Sequence, residues 1–260
     1  MADLTDKSFW DQRWTNKTKG SRDYSWTLQT REQEKILEWA LEKVPHGGHI
    51  LELGIAPGRI APQYFGLRND IHIDGIDISE SGLEQTRALF DKLGISGELH
   101  LSDIREFEAT TPYDLVCSHG LIEHFDNYTQ MVKYHFDYVR PGGWVFITIP
   151  NYATTPVRHM LERFSDETMA THNLDCMSEE ALRATLKDIH PVTYEIKAYG
   201  GNILPHSAVN PNLGGKLYRH FCRAWNASVS VFAMVTPIDS LVHVWDVSYA
   251  LLAQKSPIVE

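Results

Sequence analysis

The stretch Ile50-Leu51-Glu52-Leu53-Gly54-Ile55-Ala56-Pro57-Gly58-Arg59-Ile60 constrains this chain more than any other. A short apolar run carries one acid, meets a turn of small residues and leads into a helix start. A buried parallel strand passes in this way into a loop that receives a ligand. Gly54 and Gly58 tolerate positive φ and let a ligand approach the backbone. The N–H groups of the following helix start favour a negative group such as a carboxylate. Glu52 narrows the reading, because a carboxylate at the strand end repels a pyrophosphate and suits an ammonium group. An ordinary strand-to-helix turn is the alternative.

The rest of the chain alternates strand and helix signals. Residues 31–44 place Ile36, Leu37, Ala40, Leu41 and Val44 on one helical face, and Pro45-His46-Gly47-Gly48 ends that helix. Strands are predicted at 49–53, 71–78, 98–101, 113–118, 144–149, 192–199 and 247–253. Ser79 is placed as an N-cap and Gly94 as a C-cap for a helix with Leu83, Thr86, Phe90 and Leu93 at helical spacing. A further helix at 126–139 turns Met131, Val132, Phe136 and Val139 inward, and Arg140-Pro141-Gly142-Gly143 reads as a turn. Ser178 caps a helix with Leu182, Leu186 and Ile189 inward, and 216–235 reads as a helix bounded by Gly214-Gly215 and Pro237. Such alternation predicts a single α/β domain with a doubly wound, Rossmann-like sheet. Within it, 1–47 form an N-terminal segment, 48–150 the ligand-binding core, 151–177 an insertion over the carboxyl edge of the sheet, and 178–260 the remaining half.

Charge and cysteine usage exclude several classes. The chain of 260 residues has a formal charge of −10 and no dense Lys/Arg run, which disfavours nucleic acid and anionic membranes as partners. No apolar run approaches the ~20 residues of a membrane span. Cys117, Cys176 and Cys222 are odd in number and lack a CxxC spacing, so free thiols in a reducing compartment are expected. The opening Met1-Ala2-Asp3-Leu4-Thr5-Asp6-Lys7 has no apolar core of a secretory signal, and a cytoplasmic location is expected.

Glu52-x-Gly54-x-Ala56-x-Gly58 resembles the first motif of class I S-adenosylmethionine (SAM)-dependent methyltransferases, with Ala56 where that family usually has glycine. Three further motifs follow in the family's order. Gly75-Ile76-Asp77-Ile78-Ser79 closes the second strand with an acid that the resemblance places on the ribose hydroxyls of SAM, with Ile78 on adenine. Leu101-Ser102-Asp103-Ile104 supplies an acid for the adenine amino group and a backbone N–H from Ile104. The run from Asp114 to Phe125, with Ser118, His119, Glu123 and His124, is similar to the strand-four region of the family's small-molecule group. The resemblance covers about residues 48–150. It implies a seven-stranded, mostly parallel sheet with the last strand antiparallel, SAM as cofactor and S-adenosylhomocysteine (SAH) as product.

The expected reaction is methyl transfer to a small-molecule hydroxyl. Nitrogen or carbon acceptors and a catalytically silent SAM-binding partner are the alternatives. A hydroxyl needs its proton removed, which a histidine can do; His119, directly after strand four, is the first candidate and His124 the second. The aromatic N-terminal segment (Phe9, Trp10, Trp14, Tyr24, Trp26) suits a lid that excludes water. Tyr24, Trp26, Asn151 and His172 are the expected acceptor contacts. His119, Glu123 and His124 show no metal-specific spacing, and no metal site is expected. Binding-only and NAD-dependent readings are disfavoured by Glu52, Asp77 and Asp103 together and by the poor fit to G-x-G-x-x-G. The oligomeric state is left open, a homodimer being one option.

Overall fold

A computed structural model describes residues 3–15, 27–109, 112–154, 157–206, 208–236 and 244–257. Tyr24 and Trp26 lie outside the described residues. The elements run α1 (Lys7–Thr15), α2 (Leu28–Leu41), β1 (His49–Leu53), α3 (Ala61–Leu67), β2 (His72–Asp77), α4 (Glu80–Leu93), β3 (Leu99–Leu101), β4 (Tyr113–His119), α5 (Tyr128–Tyr138), β5 (Val139–Pro150), α6 (Val157–Phe164), α7 (Asp166–Thr171), α8 (Glu179–Thr185), β6 (Thr193–Tyr199), α9 (Leu213–Val235) and β7 (Ser248–Gln254), with one-turn helices at Ile122–His124 and Leu174–Cys176.

The sheet has seven strands in the order β3-β2-β1-β4-β5-β7-β6. Pairs from β3 through to β5 are parallel, and β7 runs antiparallel between β5 and β6. This is the expected doubly wound architecture. The strands feed two cores, one on each face, because successive side chains point to opposite sides. Leu51, Val116, Val145, Ile147 and Leu251 join one core with Met131, Val132 and Phe136 of α5 and Leu182 of α8. Ile50, Leu115, Cys117, Phe146 and Leu252 join the other with α2, α3 and α4. The chain leaves β1 toward β2 and later returns to β4 on its other side. The carboxyl ends of β1 and β4 therefore flank the crevice where open α/β sheets bind ligands.

Most predicted boundaries hold within a few residues, and the exceptions have local causes. Helix α2 starts three residues earlier than its apolar pattern, because Thr27 caps it and the buried Leu28 donates its N–H to Ser230 Oγ (3.1 Å). Arg140-Pro141-Gly142-Gly143 does not end an element. It bulges within β5, where pairing to β4 breaks after Tyr113↔Val139 and resumes at Leu115↔Trp144. The Lys255 N–H donates to the Gly143 carbonyl (2.9 Å) and the Gly142 N–H donates to the Lys255 carbonyl (3.1 Å), which holds the bulge in the sheet. Gly214-Gly215 lies inside α9, because the Asn212 side chain accepts the Gly215 N–H (2.8 Å) and starts the helix sooner. Leu93, expected inward, is exposed at the last turn of α4. Ser79 and Gly94 cap α4 as expected, with Gly94 left-handed at φ 69°. The three cysteines are free and buried. Among the described residues, no helix is long and apolar enough to cross a membrane.

Candidate active site

A cleft of about 440 Å³ opens at the carboxyl ends of β1, β2 and β4, a size within the usual range for ligand pockets. Glu52, Gly54, Ala56, Asp77, Ile78, Asp103, Ile104, His119, His124 and His172 all line it. Residues far apart in the chain thus converge on one site. Gly58, Ser118 and Asn151 do not line it, and each has structural work instead. Gly58, at φ 76°, packs its α-carbon on Thr86 so closely that a Cβ would lie 2.9 Å from the Thr86 methyl. Ser118 is fully buried and bonds His135 Nε2 (2.8 Å). The neutral His135 ring donates its one N–H, at Nδ1, to the Met131 carbonyl (2.8 Å), so the Ser118 hydroxyl is the donor to Nε2. Asn151 ties β5 to the chain entering β7, accepting nothing from the cleft: its side chain donates to the Asp246 carbonyl (2.9 Å) and its N–H to that of Val247 (2.6 Å).

At the cofactor end, the two strand-end acids are set up differently. Glu52 is 2% exposed and its Oε2 has no hydrogen-bond partner among the described residues. Burial first, and the neighbouring Asp77 charge second, push its pKa well above the usual carboxylate range. An unpartnered buried carboxylate is costly unless a ligand completes it. Asp77 accepts Ala56 N–H at Oδ2 (3.0 Å) and Ser79 N–H at Oδ1 (2.8 Å). Burial raises its pKa to about 6 against the lowering effect of those backbone bonds. A carboxylate has about four acceptor positions, so Asp77 keeps capacity for two hydroxyls. Gly54, at φ 72°, has no room for a side chain, since a Cβ would lie 2.8 Å from Leu121. A carboxylate with an unpartnered oxygen, a second with spare acceptor capacity and a close backbone approach in one cleft are compatible with SAM. Asp103 is more committed than expected: Arg105 bonds it through its backbone N–H (2.8 Å) and its guanidinium (2.8 and 2.5 Å), holding its pKa below the usual range.

Helix α1 closes one side of the cleft through polar contacts. Asp11 accepts from Ser79 Oγ (2.7 Å), and Ser81 Oγ donates to the Asp11 carbonyl (3.1 Å), which docks α1 on the start of α4 beside Asp77. Trp14 is buried against Gly82, and Arg59 lies over its ring at 5.3 Å. Arg13 pairs with Glu167 of α7, so α1 and the insertion meet across the cleft.

The histidines differ from one another in what they leave free. His119 is held on both sides, with Nδ1 2.9 Å from Thr148 Oγ1 and Nε2 3.1 Å from the Tyr64 hydroxyl. Burial keeps the Tyr64 phenol protonated, and in either tautomer one ring nitrogen donates to one of these hydroxyls while the other accepts from the second. No lone pair of His119 remains for a substrate, and burial lowers its pKa to about 3. Carbonyls only accept, so Nδ1–H of His124 donates to Thr171 (2.6 Å) and Nδ1–H of His172 to Thr168 (2.9 Å). Both leave Nε2 with a free lone pair. Their rings lie 4.6 Å apart, and Trp10 meets His124 edge-on at 4.9 Å. Glu123 is 1% exposed, its Oε2 has no partner among the described residues, and burial raises its pKa to about 8. Sequence reasoning left Glu123 out of the site and missed Tyr64, Thr148, Arg13 and Arg105. Only Glu123 had a signal, its place beside His124.

A family model described as a methyltransferase domain matches residues 26–189. A ubiquinone biosynthesis O-methyltransferase of Thiobacillus denitrificans is 29% identical over 118 residues, 44% of this chain and 50% of that protein. The chain thus spans about half the length of that curated relative. The plantazolicin methyltransferase BpumL, solved with a triazolic desmethylPZN analog and SAH, superposes with a TM-score of 0.56 at 15% identity, covering 94% of this chain and 89% of that one. Coclaurine N-methyltransferase, solved with N-methylheliamine and SAH, superposes with a TM-score of 0.56 at 14% identity, covering 91% and 76%. At these identities the two structures speak for the fold alone. The domain match spans most of the chain and covers the glycine loop and strand-end acids that meet in the cleft, and on it the chain belongs to the SAM-dependent methyltransferase family.

Proposed function

We propose that this chain transfers the methyl group of SAM to a hydroxyl of a small-molecule acceptor. The observation that carries this reading is the single cleft itself. Its cofactor end holds the unpartnered Glu52 carboxylate and Asp77, and its other end holds three unengaged acceptor atoms on Glu123, His124 and His172. When bound, SAM supplies a methyl carbon already made electrophilic by its sulfonium. The protein's part is to orient, to exclude water and to take up a proton.

Glu52 receives the cofactor's ammonium group, Asp77 its ribose diol, and Ile78 and Ile104 flank the adenine. Asp103, with part of its capacity given to Arg105, contributes what remains. Helix α1 covers the site: Trp10 and Trp14 shield it from water, and the Arg13–Glu167 pair latches the helix to the insertion. The proton role passes from His119 to the cluster that the strand-four loop and the insertion form together, because His119 has no free lone pair and both imidazoles of the cluster keep one. The O-methyltransferase relative supports oxygen as the acceptor atom.

The test is turnover. The full chain, SAM and a panel of phenols and alcohols should yield SAH together with an acceptor heavier by one CH₂. Turnover confined to amines would move the acceptor to nitrogen. Tight SAH binding with no turnover on any panel would favour a silent cofactor-binding partner.

A further inference from the structure

We infer that Glu123, His124 and His172 form a site for one divalent transition-metal ion, of the zinc class, at the acceptor end of the cleft. Each residue presents one donor atom, and these atoms lie within 4.8 Å of one another. Two of the three residues are buried and the third is half-buried, and all three line the cleft. Two imidazoles and one carboxylate with an open side match the composition of catalytic zinc sites, which keep one position for water or substrate. Imidazole donors favour zinc, iron, cobalt or nickel over magnesium or calcium.

Three independent features point to an ion. First, Glu123 Oε2 is buried without a partner among the described residues, an arrangement a cation completes. Second, both imidazoles are already oriented as ligands. Their Nδ1–H groups donate to the carbonyls of Thr168 and Thr171 in α7, and metal-binding histidines characteristically spend the second ring nitrogen on such a bond. Third, the backbone holds the two ligand segments together: Asn173 N–H donates to the Glu123 carbonyl (2.7 Å), and the Asn173 side chain donates to the Phe125 carbonyl (3.2 Å). Sequence spacing predicts no metal set here, because the third ligand comes from the insertion and not from the strand-four loop.

A consequence for the reaction rests on the methyltransferase reading. An ion at this position coordinates an oxygen of the acceptor and lowers its pKa. The proton is then lost to solvent water, so the cluster's imidazoles need not accept it.

The experiment uses the full chain, stripped with a chelator and then titrated with Zn²⁺ or Co²⁺. One equivalent of Co²⁺ should bind and give the visible d–d absorption of a low-coordinate nitrogen and oxygen site, and Zn²⁺ should displace it. Glu123→Gln and His172→Ala should each weaken metal binding by more than about tenfold, since even outer partners of metal ligands are worth roughly 10–100-fold. SAH affinity by calorimetry, measured on the same samples, reports whether each variant is folded. Absence of a stoichiometric Co²⁺ spectrum in the wild type overturns the site, as does unchanged metal affinity in both variants. Metal binding without SAH binding would keep the site and sink the methyltransferase reading instead.

Discussion

Glu52 and Asp77 illustrate what single residues reveal in a sequence. An acid ending a strand before a glycine loop, and a second ending the next strand, are legible because a parallel α/β sheet puts both ends on one edge. Asp77→Ala should weaken SAH binding by ~1–3 kcal/mol, the usual worth of hydrogen bonds to a charged acceptor, as read by calorimetry. The sign of the pH effect follows from its pKa of about 6 in the ligand-free protein. The carboxylate must be ionised to accept two hydroxyls, so SAH affinity should fall as pH falls through about 6. Asp77→Asn should flatten that slope, and a slope that persists in the variant would place the titrating group elsewhere. His119 shows the opposite case. Its position at the end of β4 was legible, but its engagement was not, because the bonding partners Tyr64 and Thr148 come from α3 and β5. His119→Ala should leave the pH profile of kcat unchanged. It should also lower stability by roughly 1–3 kcal/mol, since the Tyr64 hydroxyl and Thr148 lose their shared partner inside the protein. Loss of a pH-dependent limb in that variant would restore His119 as the base.

Helix α1 was legible only as a run of aromatics. What places it is polar: Asp11 on Ser79 and Ser81, and Arg13 on Glu167. Contacts of this kind leave no periodicity in a sequence. They also set its stability, because a short helix held by a few surface bonds opens more readily than the core. Asp11→Ala should therefore speed proteolysis within residues 1–30 of the ligand-free chain, while SAH slows cleavage in the wild type. Cleavage rates that ignore both the substitution and the ligand would deny α1 a closing role. The insertion was legible as a break in alternation after β5. Its partner histidine was named as an acceptor contact, but its pairing with Glu123 and His124 depends on how α6 and α7 fold back, which spacing alone does not encode.

Across the whole molecule, the central strands were readable because they bury both faces, and β-period alternation sorts their residues between two cores. Boundaries shifted where a cap or a bulge overrode the apolar pattern, at Thr27, Asn212 and residues 140–143. Ile147 is fully buried in the core that backs the insertion, and Ile147→Ala should cost about 2–5 kcal/mol in denaturant unfolding, as other large-to-small core changes do. A near-neutral outcome would mean that this core is looser than its packing implies. The fold matters to function because it brings strand-end acids and an imidazole cluster to one edge. That convergence is tested most directly by titrating the full chain with SAH, alongside NAD as control, in the wild type and in Asp77→Ala. The account predicts one equivalent of SAH bound by the wild type, no binding of NAD, and roughly 5- to 150-fold weaker SAH binding in the variant, the factor set by ~1–3 kcal/mol. No heat with SAH, or equal affinity in both proteins, would contradict it.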